Sequence, residues 1–341
     1  MIERGVFQHA GRLLAGWRRT LILTHQRPDG DGLGAVVAMK RVIEAGGRQA
    51  TAMVYEEVPG RYVFLADPGF FERWSGGDVA RLDARFDGLL VLDTSSWAQV
   101  EPAAGYLRVS SRPRIIVDHH ATGDDLSGQA ASIVGLIDST AASTCTLVRE
   151  WCQAIGASLD AQAAQALLVG MTTDTGWFRF SNTDGRTLAA AAALVEESGA
   201  RPEELFARLY ESWSPARLRL KALALASLEL HADNTLAVMH LDPDMFRQAG
   251  ATSADSEELV NEPMATASVA VSVLLIQQDD GRIRANFRSK SPQVCGRDVD
   301  VASVAESFGG GGHRRASGAK IEGDMAGVRE RVVKALMEAS R

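Results

Sequence analysis

The sequence has few cysteines, no long apolar run and no excess of positive charge. Its three cysteines, Cys145, Cys152 and Cys295, are odd in number and lack C-x-x-C spacing, which argues against a disulfide framework or a thiolate metal site. No apolar run reaches the ~18 residues that a membrane span requires, and the first residues lack the apolar core of a signal peptide. These absences predict a soluble globular protein of the cytoplasm, with no membrane partner.

The net charge of −7 over 341 residues argues against a protein that coats long nucleic acid. Such binding depends on many phosphate contacts from a broad basic face. A small anionic ligand held by a local basic cluster is compatible with this charge. Hydrophobic residues make up 46% of the chain, enough at this length for two domains that each bury a core.

Short apolar runs in the first half of the sequence end in acidic or imidazole side chains. Helical segments separate these runs, which predicts a parallel sheet, and ligands bind such sheets beyond the carboxyl ends of the strands. We therefore expect the side chains to gather at one edge of the sheet. The run 20–24 leads into His25, Asp29 and Asp31, the run 88–92 into Asp93, and the run 114–117 into Asp118, His119 and His120.

Two helices are predicted after the third of these runs. One spans 141–154 with Ser139 or Thr140 as its cap, and the next spans 161–171 and leads to Asp174, a further candidate ligand. The aromatic run that follows has two interpretations. The first is an aromatic strand buried against the sheet, and the second adds Asn182 and Arg179 as contacts to a substrate.

Mixed carboxylate and imidazole ligands favour Mn²⁺ over a thiolate zinc site or an all-oxygen Ca²⁺ or Mg²⁺ site. This many ligands suffices for two ions that share a bridging aspartate. Two ions ~3.5–4 Å apart can activate a bridging water and stabilise an in-line displacement at phosphorus. The oxygen ligands of this set are Asp29, Asp31, Asp93 and Asp174, and the nitrogen ligands are His25 and His119.

The second half of the sequence changes from helical to strand-like patterns. Helices are predicted from 187 to 230, followed by strands at 236–241, 267–277 and 282–288, and an Asp-Gly turn predicts that the last two form a hairpin. This order predicts a first domain over 1–190, a helical linker over 191–230 and a second domain over 231–341.

Four consecutive glycines, Gly309 to Gly312, lie between a predicted helix and a predicted strand. Their unhindered N–H groups could bind an anion, to which nearby basic side chains would add charge. A flexible linker is the alternative interpretation, but the run continues into a basic segment and an apolar strand, which a linker would not normally do. The basic side chains are His313, Arg314, Arg288 and Lys290.

The motifs, taken in order along nearly the whole chain, resemble those of the DHH/DHHA1 phosphoesterases. Within that family they are most similar to the bacterial nano-RNases. The resemblance rests on the H-x3-D-x-D motif from His25, on Asp93, on Asp118-His119-His120, on Asp174 and on the glycine run that ends at His313. It implies an α/β fold: an N-terminal parallel-sheet DHH domain with helices on both faces, a helical linker, and a smaller mixed-sheet α/β DHHA1 domain.

The resemblance also implies roles for individual residues. Its metal ligands match the six predicted above, with two Mn²⁺ for which Mg²⁺ or Co²⁺ could substitute, and with Asp93 as the bridge. Asp118 would orient a ligand histidine, and His120 would face the scissile phosphate as a charge stabiliser or general acid. The remaining implied residues bind substrate: Arg288 and His313, surrounded by Gly310, Gly311 and Gly312, then Arg314, Lys290 and Asn182.

The implied activity is that of an exonuclease that hydrolyses very short RNA to 5′-mononucleotides and dephosphorylates adenosine 3′,5′-bisphosphate. A homodimer is the implied assembly. Alternatives within the superfamily are a cyclic dinucleotide phosphodiesterase and a single-strand DNA exonuclease, the latter disfavoured because no OB-fold-like segment is left unassigned. A family II pyrophosphatase would not be expected to carry the glycine run. A non-catalytic nucleotide sensor would not need the full ligand set.

Overall fold

The first half of the chain folds around six strands in the computed structural model, which describes residues 1–339. The strands are β1 (Arg19–Leu23), β2 (Gln49–Val54), β3 (Phe71–Arg73), β4 (Gly88–Leu92), β5 (Arg114–Asp118) and β6 (Ile133–Ile137). The helices are α1 (Arg4–Ala15), α2 (Gly30–Ala45), α3 (Val79–Arg85), α4 (Glu101–Val109), α5 (Thr144–Ile155), α6 (Ala161–Asp174), α7 (Gly185–Ser198) and α8 (Pro202–Tyr210).

The six strands form one parallel sheet in the order β3-β2-β1-β4-β5-β6. The chain builds outward from β1 in one direction through β2 and β3, and then in the other through β4, β5 and β6. The strand order therefore reverses between β1 and β4, and ligands bind beyond the carboxyl ends of strands at such a point.

Helices cover both faces of this sheet, as the sequence predicted. Alternate residues of one strand point to opposite faces. Ile22 packs in a core with α1, α2, α5 and α6, whereas Leu21 and Leu23 pack in a second core with α3 and α4. Because both faces are covered, every residue of the inner strands β4 and β5 is buried, whereas the edge strand β6 alternates between exposed and buried positions.

The chain divides into two compact units between Ser212 and Trp213. The predicted boundaries at 190 and 230, and a separate helical linker, stay a prediction. In the second unit the helices are α9 (Pro215–Ala226), α10 (Pro243–Ala249), α11 (Pro292–Cys295), α12 (Val301–Ser307) and α13 (Met325–Ala339). Its strands are β7 (Glu229–His231), β8 (Leu236–Leu241), β9 (Val271–Gln277), β10 (Ile283–Ser289), β11 (Gly311–His313) and β12 (Ala316–Ile321).

The second unit is built on a mixed sheet in the order β11-β12-β10-β9-β8-β7. Strands β8 and β9 are parallel, and the other neighbours are antiparallel. Helices α12 and α13 pack on one face, and α9 and α10 pack on the other. The hairpin predicted from the Asp-Gly turn is confirmed as β9 and β10.

Several local predictions were wrong. Helix α5 begins at Thr144 and is capped by Ser143, rather than beginning at residue 141 behind Ser139 or Thr140. Residues 177–182 form turns and not a strand.

Among the described residues, none of the helices combines the length and apolarity needed to cross a membrane.

Candidate metal centre

The predicted ligands of the first unit lie beyond the carboxyl ends of three neighbouring strands. His25 follows β1, Asp93 follows β4 and His119 follows β5, so the three lie on both sides of the point where the strand order reverses. Asp174 arrives from elsewhere, as the last residue of α6. The structure therefore brings together at one edge side chains that are up to about 150 positions apart in the sequence.

The first turn of α2 positions two carboxylates of the H-x3-D-x-D motif. Asp29 is the N-cap and accepts hydrogen bonds from the N–H groups of Asp31 at 2.9 Å and Gly32 at 3.2 Å. His25 Nε2 lies 3.9 Å from Asp29 Oδ1. Gly32 is required here because a Cβ atom at this position would lie 2.6 Å from Thr24 Oγ1. The motif thus combines helix capping with the placement of ligands.

Asp93 lies at the centre of the site in a strained backbone conformation. Its φ is +64°, a region in which non-glycine residues persist only when the surrounding structure holds them. Its amide donates to Val117 O at 2.8 Å, and its Oδ1 accepts a hydrogen bond from Thr144 Oγ1 at 2.9 Å. His25 Nε2 lies 3.5 Å from Asp93 Oδ2, and His119 Nε2 lies 3.7 Å from Asp93 Oδ1.

The candidate ligands form three overlapping groups, and within each group the ligand atoms lie within 4.8 Å of one another. Asp93 and His119 each belong to two groups, so the three groups form one connected cluster, and the Asp93 carboxylate is the member that can bridge two ions. The donor set of carboxylate oxygens and imidazole nitrogens fits divalent Mn²⁺ or a similar ion. The groups are His25 with Asp29 and Asp93, Asp31 with His119 and Asp174, and Asp93 with His119 and His120.

The clustered carboxylates of the site favour the binding of protons or cations. Burial raises the pKa of Asp31 and of Asp174 well above the usual range, and the neighbouring carboxylates raise it further. Burial alone would lower the pKa of His25, but Asp29 and Asp93 raise it to about 10. Without metal, protons therefore balance the charge of these carboxylates, and a divalent cation would take over that role.

Asp118 and His120 form a hydrogen-bonded pair, and His120 also belongs to one of the three groups. Asp118 Oδ1 lies 2.7 Å from His120 Nδ1 and accepts the backbone N–H of His120 at 3.1 Å, and its Oδ2 accepts from Ser95 Oγ at 2.6 Å. Burial acts to raise the pKa of Asp118, yet His120 and Ser95 hold it below its usual value. The His120 side chain is 35% exposed, so the imidazole is accessible to a ligand. Its hydrogen bond with Asp118 fixes the orientation of the ring.

Asn182 donates hydrogen bonds to two backbone carbonyl groups, one of them that of the candidate ligand Asp174. Its amide nitrogen donates to Ala142 O at 3.0 Å and to Asp174 O at 3.1 Å. In this structure Asn182 therefore links the end of α6, with Asp174, to the segment that leads into α5. A direct contact between Asn182 and substrate stays a prediction.

The glycine run of the second unit differs from the open loop that the sequence predicted. The N–H of Gly309 donates to Glu306 O and the N–H of Gly310 to Ala305 O, both at 2.9 Å, so these two groups end α12. Gly311 and Gly312 belong to β11 and pair with β12. The prediction of four unhindered N–H groups is therefore wrong. Glycine is still required at positions 310 and 312, because Cβ atoms there would collide with β12.

The predicted basic residues of the second unit differ in their contacts and exposure. Arg288 is on β10, its Nη1 donates to Phe287 O at 2.9 Å, and burial lowers the pKa of its guanidinium. Arg314 pairs with Asp298 at 2.7 Å. Lys290 Nζ donates to Thr266 O at 2.6 Å. His313 is exposed on β11.

Sequence reasoning missed three residues that hold either the ligand Asp31 or the neighbouring Asp118 in place. The N–H groups of Thr144 and Cys145 donate to the two Asp31 oxygens at 2.6 and 2.8 Å, and Ser95 bonds to Asp118. Ser143, Thr144 and Thr146 lie in a polar stretch that reads as an ordinary helix start. The usable signal was that this start directly follows β6, at the same edge of the sheet as the ligands.

The fold and the site together define the class of protein. The model of the DHH family N-terminal domain matches residues 19–171, and the DHHA1 domain model matches residues 233–340. The chain therefore belongs to the DHH/DHHA1 family, as the motifs predicted.

Within this family the chain is similar to the bifunctional oligoribonuclease and PAP phosphatase NrnA of Thermus thermophilus. The two are 29% identical over 326 residues, 93% of this chain and 89% of the relative. An exopolyphosphatase-related protein from Bacteroides fragilis has the same fold, with a TM-score of 0.86 at 22% identity over 99% of this chain and 96% of that one. RecJ of Thermus thermophilus, solved in complex with Mn²⁺, matches with a TM-score of 0.56 at 15% identity, over 99% of this chain and 54% of RecJ.

Proposed function

We propose that the protein is a divalent-metal-dependent phosphoesterase that hydrolyses very short RNA oligonucleotides to 5′-mononucleotides and removes the 3′-phosphate of adenosine 3′,5′-bisphosphate. The name of the Thermus relative, an oligoribonuclease and PAP phosphatase, supports these substrates. The observation that carries the proposal is the complete set of six candidate ligands, assembled in overlapping groups around Asp93 and His119. A nucleotide-sensing protein without activity would have no need of that set.

The cofactor in this proposal is a pair of Mn²⁺ ions. Bound divalent ions would activate water and offset the negative charge that develops on the phosphoryl oxygens. His25, Asp29 and Asp93 would hold one ion, while Asp31, His119 and Asp174 would hold the other, with Asp93 shared. The Mn²⁺-bound structure of RecJ supports the choice of ion by analogy of fold.

His120 is the proposed acid for the leaving group. Because its Nδ1 faces Asp118 at 2.7 Å, the proton it exchanges with substrate would be carried at Nε2. Asp118 would fix the orientation of the ring and stabilise its charged form, and Ser95 would fix Asp118. The 3′-oxygen of the departing nucleotide would receive that proton, leaving a 5′-phosphate on the other product.

In this proposal the second unit would supply contacts to another phosphate of the substrate. Arg288 and His313 would bind its oxygens beside Gly310, Gly311 and Gly312, and Arg314 and Lys290 would add positive charge. Guanidinium groups suit this role because they can donate two parallel hydrogen bonds to one phosphate. A homodimer remains a prediction from the resemblance.

The experiment that tests the proposal compares three substrates with Mn²⁺: a 5′-phosphorylated RNA dinucleotide, adenosine 3′,5′-bisphosphate and a cyclic dinucleotide. We expect turnover of the first two and little of the third, with Asp93→Ala as the inactive control. Preference for the cyclic substrate would instead indicate turnover of a second messenger. Absence of metal-dependent turnover of all three would favour a nucleotide sensor.

A further inference from the structure

The segment directly after the candidate ligand Asp174 has an unusual backbone. Gly176, Trp177 and Phe178 have φ values of +55°, +60° and +62°, so three consecutive residues adopt the left-handed conformation. Bulky aromatic residues rarely occupy this region, because their side chains clash with the backbone there. Strain of this kind persists only where other contacts hold the segment in place.

Those contacts are present and centre on Trp177. Its N–H donates to Thr172 O at 2.6 Å, and its indole packs edge-on against Phe206 at 5.1 Å and Tyr210 at 6.0 Å between ring centroids. The next N–H, of Phe178, donates to a threonine side chain at 3.1 Å. The turn is therefore anchored into the core beside α8, and its direction is fixed.

The anchored turn reverses the chain and places Phe180 back over the end of α6. A Cβ atom on Gly176 would collide with the Phe180 ring, so the ring lies directly over Gly176. Gly176 follows Asp174 by two residues, which limits the distance between their Cα atoms to about 7.6 Å. The Phe180 side chain remains 45% exposed. A partly exposed aromatic ring is thus held over the turn that directly follows Asp174.

We propose that Phe180 is a stacking platform for a nucleobase of the substrate, an inference that rests on the proposed function. A short oligonucleotide with a phosphate at the metal centre has a base within a few ångströms of that phosphate. Aromatic side chains bind bases of any sequence because every base has a π-face. Arg179, whose guanidinium lies 6.0 Å from the Phe180 ring centroid, adds positive charge at the same edge.

The test is calorimetric binding of an analogue that cannot be hydrolysed. The analogue is a 5′-phosphorylated adenylyl dinucleotide with a methylene group in place of the linking 3′-oxygen, measured with Mn²⁺ present. Phe180→Leu keeps an apolar side chain over Gly176 but removes the π-face, and Phe180→Tyr keeps both. Leu188→Ala, on α7 at a side chain that is 51% exposed, is the matched control for loss of an exposed apolar group.

We expect Phe180→Leu to weaken binding of the analogue roughly tenfold, within the range for one stacked base, while Phe180→Tyr and Leu188→Ala bind as wild type does. Two further analogues, each with one base replaced by hydrogen, identify the stacked base, because Phe180→Leu should not change the affinity of one of them. Unchanged binding of the full analogue by Phe180→Leu, equal losses for all three analogues, or no binding by wild type would overturn the inference. Phe180-dependent binding without turnover of the natural dinucleotide would support the stacking and contradict the proposed function.

Discussion

The side-chain hydroxyl of Thr144 donates a hydrogen bond to Asp93, with 2.9 Å between Thr144 Oγ1 and Asp93 Oδ1. The backbone N–H of the same residue donates to Asp31. The first turn of α5 therefore holds two of the candidate ligands, and both carboxylates are buried. Groups that orient metal ligands in this way commonly contribute to metal affinity.

Removal of the Thr144 hydroxyl should weaken metal binding. We expect Thr144→Val, which keeps the shape of the side chain, to lower Mn²⁺ affinity roughly 10- to 100-fold, as measured by calorimetric titration of metal-stripped protein. Thr144→Ser should restore most of the affinity because it returns the donor. Equal affinities for Thr144→Val and wild type would show that Asp93 does not depend on this hydrogen bond.

This contact illustrates what the sequence could and could not predict. His25, Asp93 and His119 were predictable as ligands because each comes just after an apolar strand, and parallel strands bring such positions together. The start of α5 was not, because Ser139, Thr140, Ser143 and Thr144 are all acceptable caps by propensity. In the structure α5 begins at Thr144, whose N–H group donates to Asp31, more than a hundred residues away in the sequence.

Two other regions were mispredicted for related reasons. The aromatic run after Asp174 has the composition of a strand, but the packing of Trp177 against Phe206 and Tyr210 accompanies a turn instead, an example of tertiary contacts overriding β-propensity. In the glycine run, sequence alone does not reveal that Gly309 and Gly310 cap α12 while Gly311 and Gly312 pair with β12.

The stability of the metal-free protein should fall as pH rises from about 6.5 toward 10. The pKa of His25 is raised to about 10 in the folded state, and the pKa values of Asp31 and Asp174 are raised as well. The folded state therefore binds more protons than the unfolded state in this window, and its stability decreases as those protons are lost. Thermal unfolding in chelator at a series of pH values measures the effect.

Saturating Mn²⁺ should reverse this trend, because metal binding requires ionised carboxylates and neutral imidazoles. The increase in melting temperature on adding Mn²⁺ should therefore grow between pH 6.5 and 8.5. Asp174→Asn, which removes one carboxylate of the cluster, should reduce both effects. A metal-free melting temperature that rises across this range would contradict the electrostatic account of the site.

The pair formed by Asp118 and His120 should affect turnover more than metal binding. We expect His120→Ala to lower kcat by roughly 10²- to 10⁴-fold, the usual contribution of a general acid, with Mn²⁺ still bound. Asp118→Asn should have a smaller effect and Ser95→Ala the smallest. Asp118 acts on turnover through His120, and Ser95 acts through Asp118. Steady-state kinetics alongside metal analysis would check this order, and loss of bound Mn²⁺ from His120→Ala would assign His120 to the metal instead.

Arg288 should contribute to substrate binding rather than to the chemical step. Loss of a charge-assisted hydrogen bond to phosphate costs about 1.5–3 kcal/mol, so Arg288→Ala should raise KM roughly 10- to 100-fold with kcat nearly unchanged. Arg282→Ala is the matched control, because Arg282 lies at the start of the same hairpin arm and pairs with Asp280 on the surface. A lower kcat at unchanged KM would mean that Arg288 acts in the transition state.

The most direct test of the central claim is turnover of a 5′-phosphorylated RNA dinucleotide by metal-stripped protein as Mn²⁺ is added back. The account predicts no activity without metal and full release of 5′-mononucleotide only when about two equivalents are bound, as expected for two ions that share Asp93. Full activity in the presence of chelator, or saturation at a single equivalent, would contradict the two-metal site.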